Sequence, residues 1–190
     1  MSTALPKKTY GGYQNLKSYQ TTTLIYDLTI KFCQTYMTYG SNRSYRMTDQ
    51  MIQAARSGRQ NIAEGSLASA VSKKTEIKLV GVARASLEEL LLDYQDFLRQ
   101  RGFPIWEKED PRAKAVRALA YKSNKSYETY KSYLSNPESA ANCLICLIYQ
   151  ATYLLDKQLA SLEKTFIEDG GYSESLLKRR LDRKNKYVKK

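Results

Sequence analysis

The sequence of 190 residues contains no histidine, three cysteines and four prolines, and it has no apolar run long enough to cross a bilayer. Without histidine the chain lacks the commonest general base and a common metal ligand, which argues against catalysis and predicts no metal or other cofactor. Three cysteines do not make a disulfide framework and are typical of a reducing compartment. With no secretory signal evident, the sequence predicts a soluble, cytoplasmic protein that does not enter a membrane.

Positive charge is abundant and unevenly distributed. The net charge is +12, and residues 178–190 hold eight basic side chains and one acidic, whereas residues 101–177 hold ten of each. Such a segment is typical of a contact with a polyanion, although a solvated, frayed tail that serves solubility is an alternative. The candidate nucleic-acid-binding residues of this segment are Lys178, Arg179, Arg180, Arg183 and Lys184.

Apolar residues recur at spacings of three and four, and no alternating strand pattern competes with them. This periodicity predicts helices over about 16–39, 46–64, 72–101 and 111–134, and a last helix that follows Asn136 and ends near Glu168. Short connections between long amphipathic helices favour antiparallel neighbours. The predicted fold is all-α, an up-down antiparallel four-helix bundle with one additional helix and a basic C-terminal tail.

The pattern divides the chain into an irregular leader over 1–15, a helical bundle over 16–171 and a basic tail over 172–190. Within the bundle, residues 103–171 contain the additional helix and the last bundle helix. The first helix has an apolar arc wider than one bundle core requires, which predicts that it contacts several neighbours and indicates a homo-oligomer. The residues that widen this arc are Ile25, Ile30, Cys33 and Met37.

Two glycines and one arginine interrupt the helical pattern. Gly58 and Gly81 lie inside predicted helices, where glycine costs about 1 kcal/mol relative to alanine, so we expect close helix approach at both. Gly65 is expected to end the second helix. Arg84 lies in an apolar stripe, where an unpaired buried charge would be costly. We expect Arg84 to pair with a carboxylate, with Glu64 as the first choice, or alternatively to extend its guanidinium group to solvent.

Further cations are candidate phosphate contacts. Arg56 and Arg59 lie on the outer face of the second helix, which could equally be an ordinary solvated face. Residues 121–133 interleave basic residues with tyrosines, a pattern typical of single-stranded nucleic-acid binding, but their helical spacing favours packing for the tyrosines. These candidate contacts are Arg56, Arg59, Lys73, Lys74, Lys114, Arg117, Lys122 and Lys125.

Cys143 and Cys146 have the spacing of a redox motif. They lie within a hydrophobic helical pattern that contains neither glycine nor proline, so buried free thiols are the favoured interpretation. Glycine-rich phosphate loops and nucleophile elbows are absent from the sequence.

A resemblance to a known family is carried by Asn61-Ile62-Ala63-Glu64-Gly65, by Gln50, Ala54, Ala55 and Ser57 before it, and by Ala83-Arg84 and Ser86-Leu87-Glu88-Glu89-Leu90 after it. The chain resembles the four-helix-bundle proteins encoded in intervening sequences of bacterial 23S rRNA genes, whose relatives include accessory proteins of diversity-generating retroelements. The resemblance covers about residues 16–102. Residues 103–171 resemble a suffix region attached to a minority of these proteins.

The chain departs from the family at Gly58 and Arg59, where an apolar residue and then proline are usual, and at Gln53, where arginine is common. The resemblance implies an up-down four-helix bundle that assembles as a ring, often a pentamer. It also implies a basic surface that binds structured RNA, or a reverse transcriptase with its RNA template, and it implies no catalytic activity. The expected structural residues are Gly58, Asn61, Glu64, Gly65, Gly81 and Arg84.

Three hypotheses of function follow. The first is a non-enzymatic, oligomeric protein that binds RNA through its basic surfaces and tail. The alternative is a protein-interaction adaptor, for example an accessory subunit of a reverse transcriptase. An enzyme that works with carboxylates and tyrosines is the least favoured, because nothing in the sequence supplies a base tuned near neutral pH.

Overall fold

A computed structural model describes residues 12–37, 42–121 and 126–188 of the chain. Four long helices dominate: α1 (Lys17–Tyr36), α2 (Asn42–Ala68), α3 (Lys73–Gln100) and α6 (Pro137–Asp169). The shorter elements are a 3₁₀ helix at Gly12–Asn15, α4 (Pro111–Leu119), α5 (Tyr127–Tyr130), a 3₁₀ helix at Lys131–Ser135, and α7 (Tyr172–Val188). No strand occurs in the described ranges, so the prediction of an all-α fold is confirmed.

Three helices begin at a residue whose short polar side chain caps the helix N-terminus. The Ser72 hydroxyl accepts a hydrogen bond from the backbone N–H of Thr75 at 3.1 Å and caps α3. Asp110 and Asn136 cap α4 and α6 in the same way, and proline follows each of them. Gly102, with a φ of 67°, lies just beyond the end of α3, and it adopts this left-handed conformation without the strain that a Cβ would add.

The four long helices enclose one hydrophobic core. α3 contacts both α2 and α6, and α1 contacts the same two helices. α3 and α6 run in opposite directions, since Arg84 pairs with Asp156 whereas Gln95, further along α3, contacts Tyr149, earlier in α6. Aromatic side chains fill the interior between α1 and α3, where the rings of Phe32 and Tyr94 lie 5.0 Å apart edge to face.

The predicted helix over 111–134 is wrong in its extent. α4 ends at Leu119, and the chain resumes as α5 and the 3₁₀ helix over 127–135. The sequence between them is polar, and the Ser126 backbone N–H bonds the Thr129 hydroxyl at 3.2 Å, a local bond that favours a fresh helix start. Tyr130 is fully buried and Tyr127 and Tyr133 pack against the core, so the prediction that these three tyrosines are packing residues is confirmed.

The wide apolar arc of α1 is covered within the chain. Ile25, Cys33 and Met37 are buried, and α1 contacts α2, α5 and α6, so the prediction that it touches several neighbours is confirmed. The arc therefore gives no support to oligomerisation. None of the described helices combines the length and apolarity needed to span a bilayer.

Candidate nucleic-acid interface

The residues of the family resemblance meet along the seam between α2 and α3. A Cβ at Gly58 would lie 2.9 Å from Cδ2 of Leu87, so this glycine lets the two helices approach closely. The hydroxyls of Ser57 and Ser86 are 2.9 Å apart across the seam, and the Asn61 amide donates to the Ser57 carbonyl at 2.9 Å. The seam thus holds two helices together and leaves few of these polar groups for a ligand.

Gly65 also contributes to this seam, which corrects its expected role. α2 continues through Gly65 to Ala68, so Gly65 does not end the helix. A Cβ there would lie 3.3 Å from the Glu76 carbonyl oxygen of α3. Gly65 is needed because the neighbouring helix packs closely against it. A glycine near the end of a helical pattern can mark either such packing or a helix end, and the sequence does not tell the two apart. At Gly81 the expectation of close approach is wrong, because nothing lies within 4 Å of a Cβ placed there.

Arg84 pairs with a carboxylate, as expected, but the choice of Glu64 as its partner is wrong. The Arg84 Nε donates to Asp156 Oδ1 of α6 at 2.6 Å, while the Glu64 side chain is exposed. α3 packs against both α2 and α6, so its apolar stripe is wide enough to face both helices. Arg84 lies on the part of that stripe that faces α6, away from Glu64 of α2. The Arg84 side chain is 41% exposed, and such surface pairs contribute only about 0–1 kcal/mol.

Of the candidate cations on α2 and α3, two are exposed and two contact other side chains of the chain. The Arg59 guanidinium is half-buried and lies 4.4 Å from the centre of the Tyr26 ring, so it packs α2 against α1 by a cation–π contact. Arg56 and Lys74 are exposed. Lys73 pairs with Asp169 at 3.4 Å, which ties the start of α3 to the end of α6.

The candidate cations of α4 are engaged locally. Lys114 pairs with Glu109 at 2.7 Å, and the Arg117 guanidinium donates to the Lys108 carbonyl. α4 packs near the start of α6, whereas α7 follows its end, roughly 45 Å away along that helix. The cations of α4 and those of α7 therefore lie at different ends of α6 and do not form one surface. The candidate contacts Lys122 and Lys125 lie outside the described residues.

The predicted tail forms a helix, α7, and it carries the densest positive charge. Its cations are exposed and form no ion pair within the described ranges; they are Lys178, Arg179, Arg180, Arg183 and Lys184. At about 100° per residue, the three arginines fall on an arc of about 100°, which we name the arginine face. On the opposite side lie Leu177 and Leu181, which we name the leucine face.

One basic side chain of the bundle lies close to α7. Lys73 and Arg179 line the same small groove of about 240 Å³ together with Ser69, Asp169 and Tyr172. The groove therefore lies between the first turns of α7 and the α2–α3 connection. Lys73 and Arg179 therefore lie at the same end of the molecule, and the exposed Lys74 follows Lys73 along α3.

An acidic groove between α2 and α3 was missed by the sequence reasoning. It encloses about 570 Å³ and is lined by Gln50, Gln53, Glu89 and Asp93 among others. Burial raises the pKa of Asp93, and the negative charges of Asp96 and Glu89 raise it further. The sequence does contain a sign of this groove. Glu89, Asp93 and Asp96 are four and three residues apart, so they lie together on the side of α3 away from its apolar stripe.

The three thiols and a groove beside Glu76 are the remaining places where reactive side chains could lie. Cys33, Cys143 and Cys146 are buried and free, and burial raises the pKa of Cys33 to about 12, which disfavours the reactive thiolate. The interpretation of Cys143 and Cys146 as buried free thiols is thus confirmed. A groove of about 720 Å³ near Glu76 is lined largely by serines, lysines and leucines. No group of three metal-ligating residues occurs in the part of the chain that the structure describes.

No family model, curated protein or solved structure matches the chain. The interpretation of the basic surface therefore depends on its charge, exposure and position on the fold.

Proposed function

We propose that this protein is a non-enzymatic RNA-binding protein whose principal contact is the arginine face of α7. The observation that carries the proposal is the exposure of five cations within residues 178–184, without an ion pair among the described residues. Guanidinium groups suit this role because they are always charged and bind phosphate oxygens in a bidentate manner. Lys73 and Lys74 extend the contact toward the bundle.

The proposal includes the architecture and assembly that the resemblance implies. We propose that α1, α2, α3 and α6 form an up-down antiparallel four-helix bundle with α4 as the additional helix, in a protein of the 23S rRNA intervening-sequence family. The closely packed α2–α3 seam, which contains the resembling residues, supports this assignment. A cytoplasmic location and a homo-oligomeric ring, as a pentamer, belong to the same proposal.

Salt dependence of RNA binding tests the proposed contact. We expect the affinity for a short structured RNA to fall steeply with salt, because each neutralised phosphate contributes about 0.9 to the log–log slope for a duplex. The variant Arg179→Ala/Arg180→Ala/Arg183→Ala should lower that slope by about 2–3 and weaken binding at least tenfold at low salt. Fluorescence anisotropy at several salt concentrations measures both quantities.

The matched control removes cations that the structure places elsewhere. Lys114→Ala/Arg117→Ala changes the charge of α4, whose cations have local partners, and we expect it to leave the slope within about one phosphate of the wild type. A salt-insensitive affinity, or equal losses in the two variants, would reject α7 as the principal contact.

The second candidate function is a protein-interaction adaptor, for example an accessory subunit of a reverse transcriptase. It is favoured by the exposed leucines of α7, because a phosphate contact does not require apolar side chains. Truncation after Leu177 separates the two functions: retention of the protein partner with loss of RNA would favour the adaptor. Loss of RNA binding in the triple arginine variant would favour the first proposal.

A further inference from the structure

A groove opens where the buried core ends, near the starts of α1 and α3. The core stripe of α3 includes Val80, Ala83 and Leu87, all of which are buried. Glu76 precedes Val80 by four residues, so it occupies the next position of the same stripe. It is half-buried and lines the groove of about 720 Å³, which we name the Glu76 groove. A carboxylate therefore lies where an apolar side chain would extend the core.

Other helices also present polar side chains to the Glu76 groove. Ser18 of α1 is 4% exposed, and its hydroxyl donates to the side-chain oxygen of Gln158 in α6 at 2.7 Å. Ser66 of α2 contributes a further hydroxyl, and leucines from the start of α1 and from α6 line the wall between these groups. The volume lies within the range of about 300–1,000 Å³ that is typical of small-ligand sites, and so does the mixture of apolar wall and a few polar groups.

The Glu76 carboxylate lacks a donor from its own chain. No hydrogen bond or ion pair engages it within the described residues, and Lys73, three residues earlier, pairs with Asp169 instead. Burial raises the pKa of the Glu76 carboxyl, and the charge of Lys73 offsets part of that rise. A half-buried carboxylate without a donor is costly, so this position favours a ligand that brings N–H groups.

The lysines around the groove decide which kind of donor fits. Lys17, Lys73 and Lys157 all line it. Glu76 is the one acid among the described residues of the lining. A cationic guest, such as an arginine or lysine side chain, would be repelled by this excess of positive charge. The groove therefore fits a neutral group with N–H donors that carries a negatively charged phosphate.

Guanine is the nucleobase whose Watson–Crick edge matches a single carboxylate. Its N1–H and its N2 amino group are adjacent donors, and the two oxygens of one carboxylate can accept from both. The same edge of adenine or cytosine combines a donor with an acceptor, and that of uracil places its N–H between two acceptors. A guanosine nucleotide thus combines the donors that Glu76 lacks with a phosphate for the lysines.

The Glu76 groove adjoins the contact that we assign to RNA. Ser69 and Lys73 line both this groove and the smaller groove beside α7, which Arg179 also lines. A strand bound at the arginine face can therefore reach the Glu76 groove past Lys73. The Watson–Crick edge of a paired guanine is occupied by its partner base, so only an unpaired nucleotide can enter.

We propose that the Glu76 groove binds an unpaired guanosine of the RNA that α7 holds. Glu76 accepts from N1–H and the N2 amino group of the base, and the lysines of the groove contact the flanking phosphates. This inference rests on the proposed RNA binding, and it names the feature of the RNA that the protein selects.

RNA hairpins that differ at one position test the inference on the full chain. The first carries a single bulged guanosine, the second a bulged adenosine at the same place, and the third no bulge. Fluorescence anisotropy should show that the guanosine hairpin binds about tenfold more tightly than either of the others, as expected for one bidentate contact to a base. Free guanosine 5′-monophosphate should bind more weakly than the guanosine hairpin, because it makes no contact with α7. Tighter binding of the free nucleotide would overturn the assignment of the groove to RNA.

A substitution of the carboxylate tests the base contact. Glu76→Gln keeps the size of the side chain but places an amide NH₂ group against a donor of guanine, so we expect the preference for guanosine over adenosine to disappear. Glu64→Gln is the matched control, because it removes the same charge from an exposed side chain outside the lining of the groove. It should retain the preference, and circular dichroism verifies that both variants keep their helical content.

A second pair of variants tests the groove itself. Ser161 lines it, so Ser161→Leu should narrow it and lower the affinity for the guanosine hairpin to that for the hairpin without a bulge. Ala160→Leu adds a similar side chain at the neighbouring exposed position, outside the lining, and should leave the preference intact.

The outcomes separate this inference from the proposed function. Equal affinity of the wild type for the three hairpins, or a preference that survives Glu76→Gln or Ser161→Leu, would overturn the inference and leave RNA binding by α7 in place. If none of the hairpins binds at low salt, both proposals are wrong.

Discussion

The two sides of α3 carry apolar residues at similar helical spacing but have different surroundings. On the inner side, Leu87 is fully buried against α2, opposite Gly58. On the outer side, Leu92 is exposed among carboxylates. The difference shows that helical spacing identifies which residues share a face, whereas the neighbours decide whether that face stabilises the folded chain or is available for a partner.

The largest expected effect compares leucines on these two sides. Leu87→Ala should lower the free energy of unfolding by about 2–5 kcal/mol, because it removes buried contacts and leaves a cavity. Leu92→Ala should change it by no more than about 0.5 kcal/mol at concentrations where the chain is monomeric. Urea denaturation followed by circular dichroism measures both. Equal losses would mean that the outer side is also covered within the chain.

Glycine substitutions should give a smaller difference with opposite signs. Gly58→Ala forces a Cβ to within 2.9 Å of the buried Leu87, and such overpacking costs about 1–3 kcal/mol. At Gly81 the space is open, so Gly81→Ala should be neutral or stabilise by up to about 1 kcal/mol through the higher helix propensity of alanine. Thermal unfolding of the two variants side by side checks the signs. Destabilisation by Gly81→Ala would contradict this assignment.

The smallest expected effect concerns Asp93, at the boundary between the two sides. Burial, followed by the charges of Asp96 and Glu89, raises its pKa in the folded chain above the ordinary value of 3.8. The folded state therefore binds the proton more tightly, so this carboxyl favours folding below its ordinary pKa and that contribution is lost as pH rises through the raised pKa. Asp93→Asn should raise the melting temperature slightly at neutral pH. The gain should vanish in acid, and a constant difference at every pH would contradict the expectation.

Several helix boundaries could be predicted from the sequence because local chemistry sets them. The caps at Ser72, Asp110 and Asn136 satisfy backbone groups within the same few residues, and proline reinforces two of them. The predicted boundaries of α3 and α6 accordingly differ from the observed ones by about one residue. Between α4 and α5 the periodicity continued through a polar segment, and periodicity alone could not show that the helix was interrupted there.

The candidate site was predictable in composition but not in arrangement. The cluster of cations after Leu177 can be read directly from the sequence. In the structure these cations lie on the exposed helix α7. The sequence did not show that Arg59 covers the Tyr26 ring or that Lys114 pairs with Glu109, since those partners are chosen by how neighbouring elements meet. The acidic groove went unnoticed for the same reason, because two helices contribute its lining.

By itself the sequence determined that the chain is helical, where capped helices begin, and that its C-terminal segment is basic, because periodicity, capping and charge act over a few residues. Only the tertiary structure decided that Gly65 lies in a seam, that Arg84 pairs with Asp156 and that the arc of α1 is covered internally. Each of these depends on which face of one helix meets which face of another. Long-range packing selects those partners from several that satisfy the same local pattern.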